Sequence, residues 1–147
     1  MEDAHEFLNR LVGEWMLTGE MGEVELRQHV QARWVLGNRF LWMHCKSETG
    51  PDNPTADYEA IYHFGYNRAE SLFVMHLLDT TEVPTTCVLG RGRRDGDHVP
   101  FLFEYGDTDF FNTLSWYPER DAWTFHQTYR EDGEVRTFAT KELSRLE

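Results

Sequence analysis

The chain has 147 residues, 40% of them hydrophobic and 27% charged, which excludes a disordered chain and predicts one folded domain over 1–147. Its 14 Lys and Arg against 26 Asp and Glu give a formal net charge of −12, which repels phosphate backbones and anionic lipid and argues against nucleic-acid and membrane partners. No apolar run is long enough to span a bilayer and no basic-then-apolar leader opens the chain, so the expected location is the cytoplasm.

The first element is helical. Phe7, Leu8, Leu11 and Val12 recur at offsets of one, three and four within Glu6 to Met16, with Asp3 as the cap and Glu6 three residues on. From Trp15 the period changes to two. A short strand over Trp15 to Thr18 leads to a second over Glu23 to Trp34, where Val24, Leu26, Val30 and Trp34 alternate with charged or polar residues. Asn38 to Lys46 follows with Phe40, Trp42 and His44 on one side and Leu41, Met43 and Cys45 on the other. Both sides are apolar, so the pattern leaves open which looks inward. Gly50, Pro51, Asn53 and Pro54 mark a loop.

Tyr58 to Tyr66 and Ser71 to Leu78 come next, then Thr85 to Arg91. Arg94-Asp95-Gly96-Asp97 signals a hairpin into Val99 to Tyr105. Phe110 to Tyr117, Ala122 to Arg130 and Val135 to Leu143 complete the series, the last pair joined through Asp132-Gly133. About ten strands linked by short turns leave no room for crossover helices. The fold predicted is therefore all-β, an up-and-down antiparallel barrel behind a short N-terminal helix. Ten Phe, six Tyr and five Trp suit a barrel interior, which rings either fill or line. Cys45 and Cys87 sit in apolar alternating stretches and read as buried free thiols rather than a disulfide framework.

The run Leu8-Asn9-Arg10-Leu11-Val12-Gly13-Glu14-Trp15 resembles the opening of calycin-type barrels, where Gly-x-Trp follows a short helix and the Trp plugs the barrel base. Taken with Trp34 to Leu41, Ile61 to Asn67 and the aromatic strand with its Asp-Gly turn from Trp123 to Gly133, the chain resembles a bacterial family of uncharacterised lipocalin-like domains. The resemblance implies structural roles for Gly13 and Trp15 and an arginine packed on that Trp, assigned here to Arg136. It extends distantly to nitrobindin-like barrels, which implies haem as an alternative ligand, with His126 the residue in a comparable position. After Trp15, however, the chain reads Met16-Leu17-Thr18-Gly19 where that branch carries glycines toward a Tyr-Pro.

The residues themselves carry no reaction. Seven histidines form no His-x-His or His-x-x-x-His pair, no Cys-x-x-Cys accompanies them, and no metal site is expected. No Gly-x-Ser-x-Gly elbow surrounds a serine. The leading expectation is non-catalytic binding of a small hydrophobic or amphipathic molecule inside the barrel. Candidate contacts are Trp42, His44, Tyr62, His76, Phe103, Trp116, His126 and Arg130, with Arg27, Arg91, Arg130 or Arg136 available to an anionic end. The alternatives are an enzyme using converging His and carboxylate groups, and a filled barrel serving as an interaction module. The two apolar sides of Phe40 to Cys45 would permit a homodimer.

Overall fold

The computed structural model describes residues 3–49, 55–81 and 88–146. Among these, ten antiparallel strands form a closed barrel: β1 (Gly13–Met21), β2 (Val24–Val35), β3 (Phe40–Ser47), β4 (Glu59–Asn67), β5 (Leu72–Asp79), β6 (Leu89–Gly92), β7 (His98–Glu104), β8 (Asp109–Tyr117), β9 (Ala122–Glu131) and β10 (Glu134–Arg145). Each pairs with its sequence neighbours, and β10 returns to β1, so no sheet edge is left unpaired. Among the described residues no helix is long and apolar enough to cross a membrane.

The one α-helix among the described residues, α1 (Ala4–Asn9), starts before the predicted stripe from Glu6 and ends short of its predicted end near Gly13. Asp3 caps it, its carboxylate accepting from the Glu6 N–H at 2.8 Å, which satisfies one of the free amide donors of the first turn. Tight turns then carry the chain to Gly13. The predicted apolar stripe is used nonetheless, since Phe7, Leu8 and Leu11 are buried. The Asp-Gly turns fall where expected. Asp95 and His98 exchange both backbone hydrogen bonds around Gly96-Asp97, and Asp132 and Gly133 both take positive φ, 51° and 79°, the geometry that matches strand twist in a two-residue hairpin. Of the predicted Thr85 to Arg91 strand, β6 holds the part from Leu89, and residues 85–87, Cys87 among them, lie outside the described residues.

Strand phase, which the sequence left open, is set by burial. On β3 the inner residues are Leu41, Met43, Cys45 and Ser47; on β9 they are Trp123, Phe125 and Gln127. On β10 a bulge between Thr137 and Ala139 shifts the register, and beyond it Ala139, Lys141 and Leu143 face inward. Such a bulge inserts one extra residue and re-aims the rest of its strand.

Candidate ligand-binding site

One end of the barrel is packed shut. The Phe7 ring meets Trp123 edge-on at 5.2 Å and Phe73 at 5.8 Å, and the Arg94 guanidinium lies 4.2 Å from its centre. Trp15 is fully buried, its indole N–H donating to the Leu11 carbonyl at 2.7 Å. Because β10 runs antiparallel to β1, Trp15 stands opposite Arg145, whose guanidinium sits 4.1 Å over the indole. That guanidinium also donates to the Val12 and Arg10 carbonyls at 2.9 and 3.1 Å and grips Asp121 at 2.7 and 3.2 Å. The Arg145 hydrogen bonds hold the Asp121 carboxyl below its ordinary range. A methyl group on Gly13 would fall 2.5 Å from the Arg145 Nη1, so the glycine of Gly-x-Trp makes room for this arginine. The arginine predicted to pack on Trp15 is thus Arg145. Arg136 lies on the far side of the β10 bulge, exposed, and pairs with Glu134 and Glu131.

The opposite end is hollow. A cavity of about 540 Å³ lies between the inner faces of β1, β2, β4, β5, β7, β8, β9 and β10. Leu26, Leu77, Phe103 and Phe110 give it an apolar wall, and the bulged Phe138 closes against Phe110 at 5.5 Å. Gly90 admits the Phe103 ring, whose edge would stand 2.4 Å from any Cβ there. Set into this wall are Gln28, Asn112, Gln127 and two charged groups, Asp79 and Lys141.

The two charges are treated differently. Asp79 accepts from the Tyr58 hydroxyl at 2.9 Å, from the Thr81 N–H at 2.9 Å and from the Thr81 hydroxyl. Burial, then the nearby Asp79 charge, pushes the Tyr58 hydroxyl far above its ordinary range, and burial does the same to Tyr62. Lys141 is 9% exposed and stands opposite Gly19 in the β1–β10 pair. No carboxylate lies within ion-pair distance of it among the described residues. Burial pulls its ammonium below the ordinary lysine range, opposed by Cys45 and Asp79. The Cys45 thiol is pushed up to about 12, again chiefly by burial, with Lys141 pulling the other way. Asn112 adds a buried side-chain oxygen with no hydrogen-bond partner, its nitrogen reaching only the Met75 sulfur at 4.0 Å.

Residues 1–145 match the family model described as "Protein of unknown function (DUF1579)". The chain belongs to this family. No curated protein matches it in sequence. Among solved structures, the DUF1579 chain is similar to "The crystal structure of Echinococcus granulosus fatty-acid-binding protein 1", at 10% identity and a TM-score of 0.53 over 95% of this chain and 99% of that one. At that identity the likeness is one of fold, a ten-stranded barrel with a short N-terminal helix.

Against this geometry the predicted contacts of the DUF1579 barrel divide. Tyr62 and Phe103 line the cavity. Trp116 faces inward but belongs to the packed end, 5.0 Å from Trp123 and beneath Arg10 at 5.6 Å. Trp42, His44 and His76 stand on the outer face: Trp42, His63 and His76 run side by side across β3, β4 and β5, and His44 is hydrogen-bonded to Glu59. His126 and Arg130 are exposed on the outside of β9. Arg27 and Arg91 are likewise exposed. No histidine lines the cavity, so its residues do not fit a haem held by a histidine, and the His–carboxylate pair His44–Glu59 stands on the outer face rather than in the cavity. The inward cation is Lys141, which the sequence reading missed. Its signal was available in the spacing Ala139, Lys141, Leu143 against Thr140, Glu142, Ser144, which places the lysine on the apolar side of its strand.

Proposed function

We propose that the barrel binds a small apolar or amphipathic molecule in its hollow end and holds it without turnover. The observation that carries this reading is a cavity of about 540 Å³ whose wall is mainly apolar but includes the buried Lys141 and Asn112. Its size falls in the range of small-molecule pockets, about 300–1,000 Å³, and a few polar groups in an apolar wall are what orient such ligands. The body of the ligand lies against Leu26, Leu77, Phe103 and Phe110, and its polar end reaches toward Lys141 and Gln127. The likeness to a barrel described as a fatty-acid-binding protein supports the same class of ligand by analogy of fold.

The test is a fluorescence titration with 1-anilinonaphthalene-8-sulfonate, followed by displacement with decanol. One saturable site, emptied by decanol and weakened at least about tenfold by Leu26→Trp, which fills the cavity, is the expected result. Binding that ignores Leu26→Trp overturns the reading.

A further inference from the structure

Lys46 and Lys141 are the two lysines of the chain; the other twelve of its 14 basic residues are arginines. Every arginine is exposed or half-exposed, and Lys141 is the one buried cationic side chain. A chain built to hold an anion in its cavity has the better residue at hand, since the guanidinium stays charged and forks onto carboxylates and phosphates. At this position the chain carries a primary amine instead. It lies in an apolar cavity with no anionic partner in ion-pair reach among the described residues, while the neighbouring carboxylate, Asp79, is engaged by Tyr58 and Thr81.

We infer that Lys141 is a covalent anchor, its side-chain amine condensing reversibly with the carbonyl group of an apolar aldehyde or ketone held in the cavity. The inference rests on the binding reading above and names the ligand class for the same site. An ammonium ion has no lone pair to offer, and burial without a counter-ion favours the neutral amine; the depressed lysine agrees with the geometry. In the condensation the nitrogen lone pair attacks the carbonyl carbon, a C–N bond forms and the C=O π pair moves to oxygen. The nitrogen gives up a proton and the oxygen gains one, giving a carbinolamine. Loss of the hydroxyl with a second proton from nitrogen then releases water and leaves C=N. Amine and carbonyl become imine and water, no oxidant or reductant takes part, and hydrolysis returns both. The apolar wall holds the carbonyl beside the amine, which raises its effective concentration.

The chain's scarcity of lysine makes the test clean, because Lys46, Lys141 and the chain N-terminus are the only amines in it. The protein is incubated with decanal at pH 7, reduced with sodium cyanoborohydride, and mapped by peptide mass spectrometry. The expected result is one adduct per chain, of the mass of decanal less one oxygen. It sits on Lys141 and forms at least about tenfold faster there than on Lys46, as preorganisation beside a desolvated amine predicts. Lys46→Arg leaves the adduct in place and Lys141→Arg abolishes it; if Lys141→Arg does not fold, the ratio within the wild-type peptide map decides. Equal labelling of Lys46 and Lys141, or none of Lys141, overturns the inference. Decanol binding by the wild-type protein is measured in parallel. Decanol bound without a Lys141 adduct leaves the cavity reading standing and removes only the covalent anchor, whereas neither decanol bound nor adduct formed removes both. Tight decanoate binding with no decanal adduct assigns Lys141 to an anionic end and likewise overturns the anchor.

Discussion

The two ends of this barrel use the same kinds of residue for opposite purposes. At the packed end, aromatic rings and cations are mutually satisfied: Phe7 and Trp15 have rings or guanidinium groups against their faces, and Arg145 has two carbonyls, a carboxylate and an indole. At the hollow end, Phe103 and Phe110 line space rather than each other's faces alone, and Lys141 has no counter-ion within ion-pair distance among the described residues. Close packing and open volume are thus separated along the barrel axis. The closed end supplies close packing, and the open end leaves the Asn112 side-chain oxygen without a hydrogen-bond partner among the described residues.

Like-for-like truncations sharpen this contrast. Leu11→Ala at the packed end is expected to cost about 3–5 kcal/mol in urea unfolding, because the helix and barrel base cannot collapse into the space. Removal of the Arg145 latch by Arg145→Ala follows at about 2 kcal/mol, from lost carbonyl hydrogen bonds and stacking on Trp15. Leu26→Ala at the hollow end is expected to cost less than Leu11→Ala, about 2 kcal/mol, since one side of Leu26 already faces the cavity. Equal losses for the two leucines would remove the distinction between the ends.

The smallest effect has the opposite sign. Lys141→Met is expected to stabilise the protein by about 1 kcal/mol at pH 7, because it removes a buried polar group that has no hydrogen-bond or ion-pair partner among the described residues. The folded state holds Lys141 below its ordinary 10.5, so the unfolded chain binds that proton more tightly. The Lys141 contribution to wild-type stability therefore falls as pH drops from 10.5 toward the depressed value and is flat below it, while Lys141→Met lacks that contribution. The gap between the two proteins narrows as pH rises toward 10.5 and is constant above it, which paired urea titrations across the alkaline range will show.

Much of the fold was legible. The capped helix stripe and the two Asp-Gly hairpins were each marked by local chemistry that the tertiary structure keeps, and Gly13 and Trp15 were marked by the resemblance to calycin-type barrels. The site was less so, because phase in a barrel depends on the register of every strand. Trp42, His44 and His76 lie in strands with apolar residues on both faces, and periodicity cannot choose between them. The Thr137/Ala139 bulge hides a change of phase within a continuous alternating run, and the arginine expected on Trp15 was sought before the bulge when closure of β10 on β1 brings Arg145 there. Lys141 is the exception to the pattern in which charged residues of alternating strands face solvent.

The division of the barrel is tested most directly by titrating the isotopically labelled protein with decanol and following its backbone amide shifts by NMR. Saturable changes are expected to cluster at Leu26, Leu77, Phe103, Asn112 and Lys141, with Phe7, Trp15 and Trp123 still. Shifts gathered instead on the outer row of Trp42, His63 and His76, or no saturable shift at all, would contradict that division.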